Sequence, residues 1–265
     1  MFKSPEKMIC LNNENGRRTI GPLNIIDKMD NVRRLGVKSV CKVIPTYGEH
    51  GIGALYRVVD KHRNDHFLIM TCNHILPTTS LKEIVQTFFE FNEIQQMSRI
   101  RLSKEHIKFV WTTKLLGVTI IEITTQVALL YSSYGAKFLE VGEAELHAEV
   151  VLLQYSLGTI SISHGNIDKL ESTDVLYIIE TAFGNSGSPL VTLDCVAFAI
   201  HKADIENVTV EDNSKTTCKA TSLVVIVDSY LEEIPEIQLQ TVPLKDQLDC
   251  LRCLRFLKTL TIDFY

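Results

Sequence analysis

The sequence predicts an all-β protein of two packed six-stranded antiparallel β-barrels, followed by C-terminal helices. Short runs rich in Val, Ile, Phe, Tyr and Thr recur between residues 39 and 202, separated by turn residues or polar stretches. No long helical pattern lies between them, as alternating β-α-β units would require. The 265 residues suffice for two small domains, and a hydrophobic content of 45% can bury a core in each.

The first 36 residues (1–36) are predicted to be an N-terminal arm. They are largely polar, and residues 24–35 are predicted to form one short helix before Gly36. The beginning of the sequence shows no apolar core of a secretory signal. The seven cysteines, an odd number at irregular spacing, are therefore expected to be free thiols in a reducing compartment. This predicts an intracellular protein, cytoplasmic or nuclear.

The strands fall into two groups. Residues 37–125 are predicted to form the first barrel and residues 136–221 the second, with residues 126–135 as the linker between them. The strands predicted in the first group are 39–46, 53–59, 66–71, 85–91, 107–111 and 118–124. Those predicted in the second group are 149–155, 159–163, 175–181, 189–193 and 196–202.

Residues 222–265 show a helical pattern instead. Ser222 is predicted to cap a helix over residues 222–234, and Pro235 ends it. A second helix is predicted over 244–260, where apolar residues recur at close to helical spacing. We expect its apolar face to pack on the protein body or on a protein partner.

Charge and hydropathy exclude several classes of partner. The formal charge is -5, with 27 basic against 32 acidic residues, which argues against a nucleic-acid partner. The most apolar stretch, 118–130, is broken by Glu122 and Gln126 and is far shorter than the roughly 18 residues of a membrane span. The single CxxC pair, Cys250 and Cys253, has no second Cys/His pair, so neither a metal nor a cofactor is expected.

The segment GNSGSP, residues 184–189, carries the sharpest chemical pattern. Glycines before and after Ser186 permit tight backbone turns that would expose its hydroxyl. The N–H groups of Gly184 and Ser186 could then converge on one point, as a developing oxyanion requires. The structural alternative is a tight polar turn between two strands.

A second pattern is TCNHIL, residues 71–76, where a strand runs into His74. His74 precedes Ser186 by 112 positions. Among the three chain orders known for a Ser-His-acid triad, only the double-barrel class puts His first and Ser last. A half-buried polar residue at a strand end is the alternative interpretation of His74.

Together these motifs resemble those of the trypsin-like (chymotrypsin-fold) serine proteases, over roughly residues 37–234. The Asn beside Ser186 is closer to the Deg/HtrA-type and other non-secreted members. The resemblance implies two barrels with the site in the cleft and a protein or peptide substrate. It also implies Ser186 as nucleophile, His74 as general base and then acid, and the N–H groups of Gly184 and Ser186 as the oxyanion hole.

The third member of the triad departs from the family pattern. Gly117 stands where the Asp is expected, and Glu122, five residues on, would point to the other face of a strand. Other candidate acids for His74 include Asp65, Glu90 and Glu93. Loss of the acid's function in a protease of this family costs about 10⁴ in turnover, roughly 5 kcal/mol of barrier.

Three interpretations therefore stay open. The chain is a protease with an acid from elsewhere, a slow protease with a His-Ser dyad, or a catalytically dead pseudoprotease that acts as a protein-interaction module. In the last case the cleft or the C-terminal helix would be the contact surface.

Two residues are candidates for substrate specificity. His201, in the strand after the nucleophile, resembles the placement of the His that reads a Gln or Glu side chain in picornavirus-type proteases. An ordinary barrel histidine is the alternative. Glu180, six residues before Ser186, lies near where specificity for basic residues would be set.

Overall fold

The computed structural model describes residues 22–156, 159–181, 184–204 and 216–234, and this part of the chain is mostly β-structure. The strands are β1 (Val40–Ile44), β2 (Gly51–Val59), β3 (Asp65–Cys72), β4 (Phe88–Glu90), β5 (Ile100–Arg101), β6 (Ile107–Thr113), β7 (Val118–Ile123), β8 (Leu139–Val141), β9 (Glu149–Ser156), β10 (Thr159–Leu170), β11 (Asp174–Ile179), β12 (Pro189–Thr192), β13 (Val196–Asp204) and β14 (Thr216–Ser222). The helices are α1 (Pro22–Gly36), α2 (Leu81–Ile84), α3 (Thr125–Ser133) and α4 (Leu223–Glu233).

The chain divides into a main unit, Met1–Tyr230, and a second unit, Leu231–Tyr265. Of the second unit only residues 231–234 are described. All the strands belong to the main unit.

Strands β9 to β14 form a closed antiparallel barrel. The hydrogen-bonded order is β12-β9-β10-β11-β14-β13, and β12 also pairs with β13, which closes the ring. Alternate side chains point inward, so apolar residues from all six strands fill the interior. These core residues are Val150, Leu152, Ile167, Val175, Tyr177, Ile179, Leu190, Phe198, Ala199, Cys218 and Ala220. The strands of this barrel run from Glu149 to Ser222, and the sequence predicts a second barrel over residues 136–221.

Strands β1 to β7 form a second antiparallel arrangement, in the order β6-β7-β3-β2-β1-β4-β5. Within the described residues its end strands, β5 and β6, pair only with β4 and β7 respectively. The predicted closure of this half into a six-stranded barrel is thus not shown by strand pairing. Strand β8 pairs in parallel with both β2 and β13, and so connects the two arrangements into one sheet network.

The predicted linker 126–135 contains a helix, α3. Thr124 caps it by accepting a hydrogen bond from the Val127 N–H, and Val127, Ala128 and Tyr131 are buried. These three apolar side chains lie on one side of a short helix, whereas the sequence predicted only a linker between the barrels here.

Both helices predicted at the ends of the described residues are present. Helix α1 includes the predicted segment 24–35, and α4 covers nearly all of the predicted 222–234. The predicted helix 244–260, with Cys250 and Cys253, lies outside the described residues. Among the helices that are described, none has the length and apolar character needed to cross a membrane.

Candidate active site

The turn that carries Ser186 docks on strand β2. The Ile52 N–H donates to the Ser186 carbonyl at 2.9 Å, and the Gly187 N–H donates to the His201 carbonyl at 2.9 Å. Gly187 has φ +94°, and a Cβ there would collide with the Ile52 carbonyl oxygen. Only glycine fits this approach, which is why the GNSGSP turn can lie directly against the first group of strands.

His74 lies just beyond the end of β3, and its neighbour Ile75 packs on Gly51. The Ile75 Cγ1 lies 2.5 Å from the position that a Cβ on Gly51 would occupy, and the Ser186 carbonyl oxygen lies 3.0 Å from that position. The residue beside His74 and the backbone of Ser186 therefore meet at Gly51. The fold brings the two predicted motifs together at this glycine.

The His74 side chain is exposed, although part of its ring packs against protein. This partial desolvation lowers its pKa below the ordinary value of 6.5, while the negative charge of Glu49 acts in the opposite direction. Within the described residues no carboxylate makes a hydrogen bond to the ring. The Ser186 hydroxyl is half-buried and donates to the Lys202 carbonyl at 3.3 Å, not to the imidazole.

Gly117, which the sequence pattern predicts at the position of the acid, is hydrogen-bonded to the histidine segment. Its carbonyl accepts a hydrogen bond from the Asn73 N–H at 2.8 Å. Its backbone has φ +69°, and the position of a Cβ there is 2.6 Å from Lys202 Cε and 3.5 Å from Lys202 Nζ. The space expected for a carboxylate is therefore covered by the side chain of a lysine.

Among the described residues, the Lys202 ammonium group forms an ion pair with one acid, Asp174. Its Nζ lies 3.6 Å from Asp174 Oδ1, and the same Asp174 accepts the Lys219 ammonium at 3.0 Å. Asp174 is mostly buried, with 14% of its side chain exposed. Two cations thus share one carboxylate behind the Gly117 backbone.

Two of the acids considered from the sequence as substitutes are engaged elsewhere, and the third is exposed. Asp65 binds Arg57 at 2.9 Å, Glu90 lies 3.4 Å from Arg99, and Glu93 is exposed. The acid whose charge acts on His74 is Glu49, which the sequence patterns did not single out. The one feature of the sequence that could have pointed to Glu49 is its position, two residues before Gly51, where β2 begins.

Glu122 is buried, with 1% of its side chain exposed, and bonds to other groups. It binds His66 at 2.9 Å, Lys108 at 2.7 Å and the Tyr230 hydroxyl at 2.6 Å. Glu122 therefore anchors helix α4 to β7 rather than serving His74.

Two amide side chains, those of Asn185 and Gln154, support the turn that carries Ser186. Asn185 is buried, and its Nδ2 donates to Gln154 Oε1 at 2.5 Å while its Oδ1 accepts from the Tyr155 N–H at 3.2 Å. Gln154 Nε2 donates to the Glu180 carbonyl at 3.3 Å and to Ser163 Oγ at 2.6 Å. Gln154 therefore ties Asn185 to the end of β11. Nothing in the sequence around Gln154 signalled this role.

The two specificity candidates lie in different environments. His201 is buried, and its Nδ1 forms a 2.5 Å hydrogen bond with the Tyr177 hydroxyl. Its backbone N–H donates to the Ser188 carbonyl at 2.9 Å, so it is bonded directly to the turn that carries Ser186. Glu180 is exposed, just beyond the end of β11.

Solved protein structures share this architecture. The chain superimposes on the Rv3671c protease of M. tuberculosis, in its inactive form, with a TM-score of 0.51 and 13% identity, over 80% of this chain and 96% of that one. Deg5 gives a TM-score of 0.52 and 12% identity, over 77% and 92%. The fold is that of the trypsin-like serine proteases. The serine endoprotease from Yersinia pestis agrees, with a TM-score of 0.52 and 13% identity, over 77% of this chain and 65% of that one.

Sequence comparison adds nothing to the structural likeness, since no protein-family model and no curated protein matches the chain. At 12–13% identity the neighbours establish the trypsin-like fold alone. The roles of individual residues must therefore come from the chain's own chemistry.

Proposed function

We propose that this chain is a serine-type endopeptidase that cleaves peptide bonds through an acyl-enzyme, using His74 and Ser186 as a dyad. The observation that carries the proposal is the meeting of Ile75 and the Ser186 backbone at Gly51, which puts both motifs at one site. The neighbours' trypsin-like fold supports a protein or peptide substrate.

The proposed reaction begins when the Ser186 hydroxyl leaves the Lys202 carbonyl and turns toward His74. His74 takes the hydroxyl proton as the oxygen attacks the substrate carbonyl, and the N–H groups of Gly184 and Ser186 stabilise the oxyanion. His74 then gives that proton to the leaving amine, and a water molecule hydrolyses the acyl-enzyme by the same route. The lowered pKa of His74 favours its neutral, basic form near pH 7.

The proposed enzyme is slow because none of the carboxylates in the described part of the chain makes a hydrogen bond to His74. The acid of a complete triad holds the imidazole in the correct tautomer and stabilises its charged form. Without that support, turnover is expected to be lower by about 10⁴. Glu49 acts on His74 through its charge and supplies only weak compensation, since both side chains are exposed and solvent screens the charge.

We propose His201 as the residue that reads the substrate side chain before the cleaved bond. The Tyr177 hydroxyl fixes the His201 ring through Nδ1, and the His201 backbone is bonded to the turn that carries Ser186. A fixed histidine favours a Gln or Glu side chain. Glu180 is the alternative determinant and would favour Lys or Arg. A peptide library that varies the residue before the cleaved bond therefore distinguishes His201 from Glu180 as the determinant.

A non-catalytic interaction module is the second candidate function. It is favoured by one observation, the Lys202 side chain that covers the acid position at Gly117. In that case the cleft would bind a polypeptide without cleaving it. The C-terminal segment predicted to be helical is a further candidate contact surface.

Labelling with a fluorophosphonate probe tests catalysis. We expect slow covalent modification of Ser186 in the intact chain and none in Ser186→Ala. A modified site mapped by mass spectrometry to another residue, or no modification after prolonged incubation, would favour the interaction module.

We further propose an intracellular location. Among the described cysteines, Cys41, Cys72 and Cys195 are free thiols. Alkylation of the denatured, unreduced protein followed by mass spectrometry should therefore find seven modified cysteines. Three intramolecular disulfides would contradict the proposal.

A further inference from the structure

Two arginines stack on one aromatic ring at the edge of the first group of strands. The guanidinium carbon of Arg101 lies 3.7 Å from the centre of the Phe88 ring, and that of Arg99 lies 4.1 Å from it. Each stacking contact is a cation-π interaction, which is favourable even at exposed sites. The ring therefore holds both guanidinium groups in place while their N–H edges stay in water.

The strand register puts this group on the outer face of the sheet. Phe88 pairs with Arg101, and Phe89 pairs with Ile100. Phe89 is buried, so Phe88 and Arg101, which alternate with this inward pair, point outward. Arg99, two positions before Arg101, lies on the same face and is exposed.

The charge of this face is positive, in contrast with the chain's net charge of -5. Lys42 on β1 lies opposite Glu90 on β4, so among the described residues three cations, Lys42, Arg99 and Arg101, share this face with the carboxylate of Glu90. Glu90 lies 3.4 Å from Arg99. In the described part of the chain Arg101 has no acidic partner, so its guanidinium remains available to an external carboxylate.

The neighbouring backbone favours a polypeptide as the external ligand. β5 is an edge strand, and within the described residues it pairs only with β4. Its other edge can accept an extended segment by β-strand addition, in which alternate side chains of the added strand lie on one face. Neither a nucleic acid nor a membrane can use such an edge.

We propose that β5 and the basic face around Phe88 bind an extended acidic polypeptide segment. The segment adds to the free edge of β5, and its carboxylates pair with the guanidinium groups of Arg99 and Arg101. Arginine suits this role because its planar fork binds a carboxylate through two parallel hydrogen bonds. Stacking on Phe88 restricts both side chains in advance, which lowers the entropic cost of binding. Catalysis is not required for this interaction.

Fluorescence anisotropy of the full chain tests the proposal, with a fluorescein-labelled octapeptide of alternating Glu and Thr as the probe. In a strand, this peptide presents its four glutamates on one face. We expect saturable binding at low salt that weakens strongly at high salt. The matched peptide with Gln in place of Glu should bind at least tenfold more weakly.

Three variants and one further probe decide the outcome. R99Q/R101Q should weaken binding by about tenfold, as expected for two lost charge pairs. K61Q/K82Q removes the same charge from exposed positions elsewhere and should change affinity less than twofold. Phe88→Leu keeps both charges and should weaken binding by about threefold, because it removes the stacking surface.

Three outcomes would each overturn the proposal. They are equal losses of affinity in both double variants, no loss in R99Q/R101Q, and equal affinity for a single-stranded DNA octamer.

Discussion

Lys202 lies over Gly117, with its Cε 2.6 Å from the place where a Cβ on residue 117 would stand. The sequence pattern predicts the acid of the triad at this position. The structure thus puts a cation next to the space where a carboxylate is expected. The lysine side chain covers this space.

Gly117→Asp alone is therefore expected to leave activity unchanged or to lower it. The new Cβ would meet Lys202 Cε, and φ +69° is strained for any residue with a side chain, though least so for Asn and Asp. We expect a loss of unfolding free energy of about 1–3 kcal/mol, measured by urea denaturation.

The double variant Gly117→Asp, Lys202→Ser should behave differently. Removing the lysine side chain makes room for the carboxylate and removes the competing charge. Fluorophosphonate labelling of Ser186 should then accelerate by tenfold or more over Lys202→Ser alone, with about 10⁴ as the upper limit. A double variant that folds but labels no faster would show that residue 117 is not the acid position.

Ser186→Ala and His74→Ala should each abolish peptide cleavage, and the double variant should lose no more than either single one. In the proposed mechanism the two residues transfer one proton as a unit, so their effects should not be additive. Cleavage of a fluorogenic peptide by the three variants, with matched circular dichroism spectra, is the measurement. Clearly additive losses would indicate that the two residues do not share a proton.

Gln154→Met should slow labelling of Ser186 by about tenfold to a hundredfold. It leaves the buried Asn185 amide without its 2.5 Å partner, and an unsatisfied buried polar group costs about 1–3 kcal/mol. Ser163→Ala is the control, because it removes another bond of Gln154 and leaves the one to Asn185 intact. We expect its labelling rate to change less than threefold. Normal labelling in Gln154→Met would disprove the positioning role.

The buried group around Glu122 should make stability depend on pH. Hydrogen bonding to Glu122 raises the pKa of His66 above 6.5, despite partial burial and the charge of Lys108, and Asp60 adds to the increase. The resulting stabilisation is present below pH 6.5 and is lost as pH rises through the higher pKa of the folded state. Burial disfavours the charged form of Glu122, but its three hydrogen bonds outweigh this and lower its pKa below 4.5.

His66→Gln tests this dependence by urea denaturation between pH 5 and pH 8. The difference in unfolding free energy between the parent and the variant should shrink as pH rises. A difference that is independent of pH would contradict the assignment.

Tyr230→Phe removes the 2.6 Å hydrogen bond to Glu122. It should lower the unfolding free energy by about 1–3 kcal/mol over the whole range from pH 5 to pH 8.

Local patterns of the sequence predicted most of the architecture. Val- and Ile-rich runs mark strands because β-branched side chains favour extended backbone, so β3 and β7 fall close to the predicted ranges. The missed strand β14, Thr216–Ser222, lacks such a run, since only Cys218 and Ala220 supply its buried apolar face. Pairing with β11 and β13 makes it a strand.

By itself, the sequence determined the chemical identity of the candidate site. Glycines around Ser186 and the order of His74 and Ser186 are properties of the chain that no folding event can alter. Tertiary structure alone decided what surrounds them, because the contacts join residues far apart in sequence. Lys202 reaches Gly117 across 85 positions and Gln154 reaches Asn185 across 31. Such pairs depend on how the strands are paired and where each side chain points, and no local pattern records either.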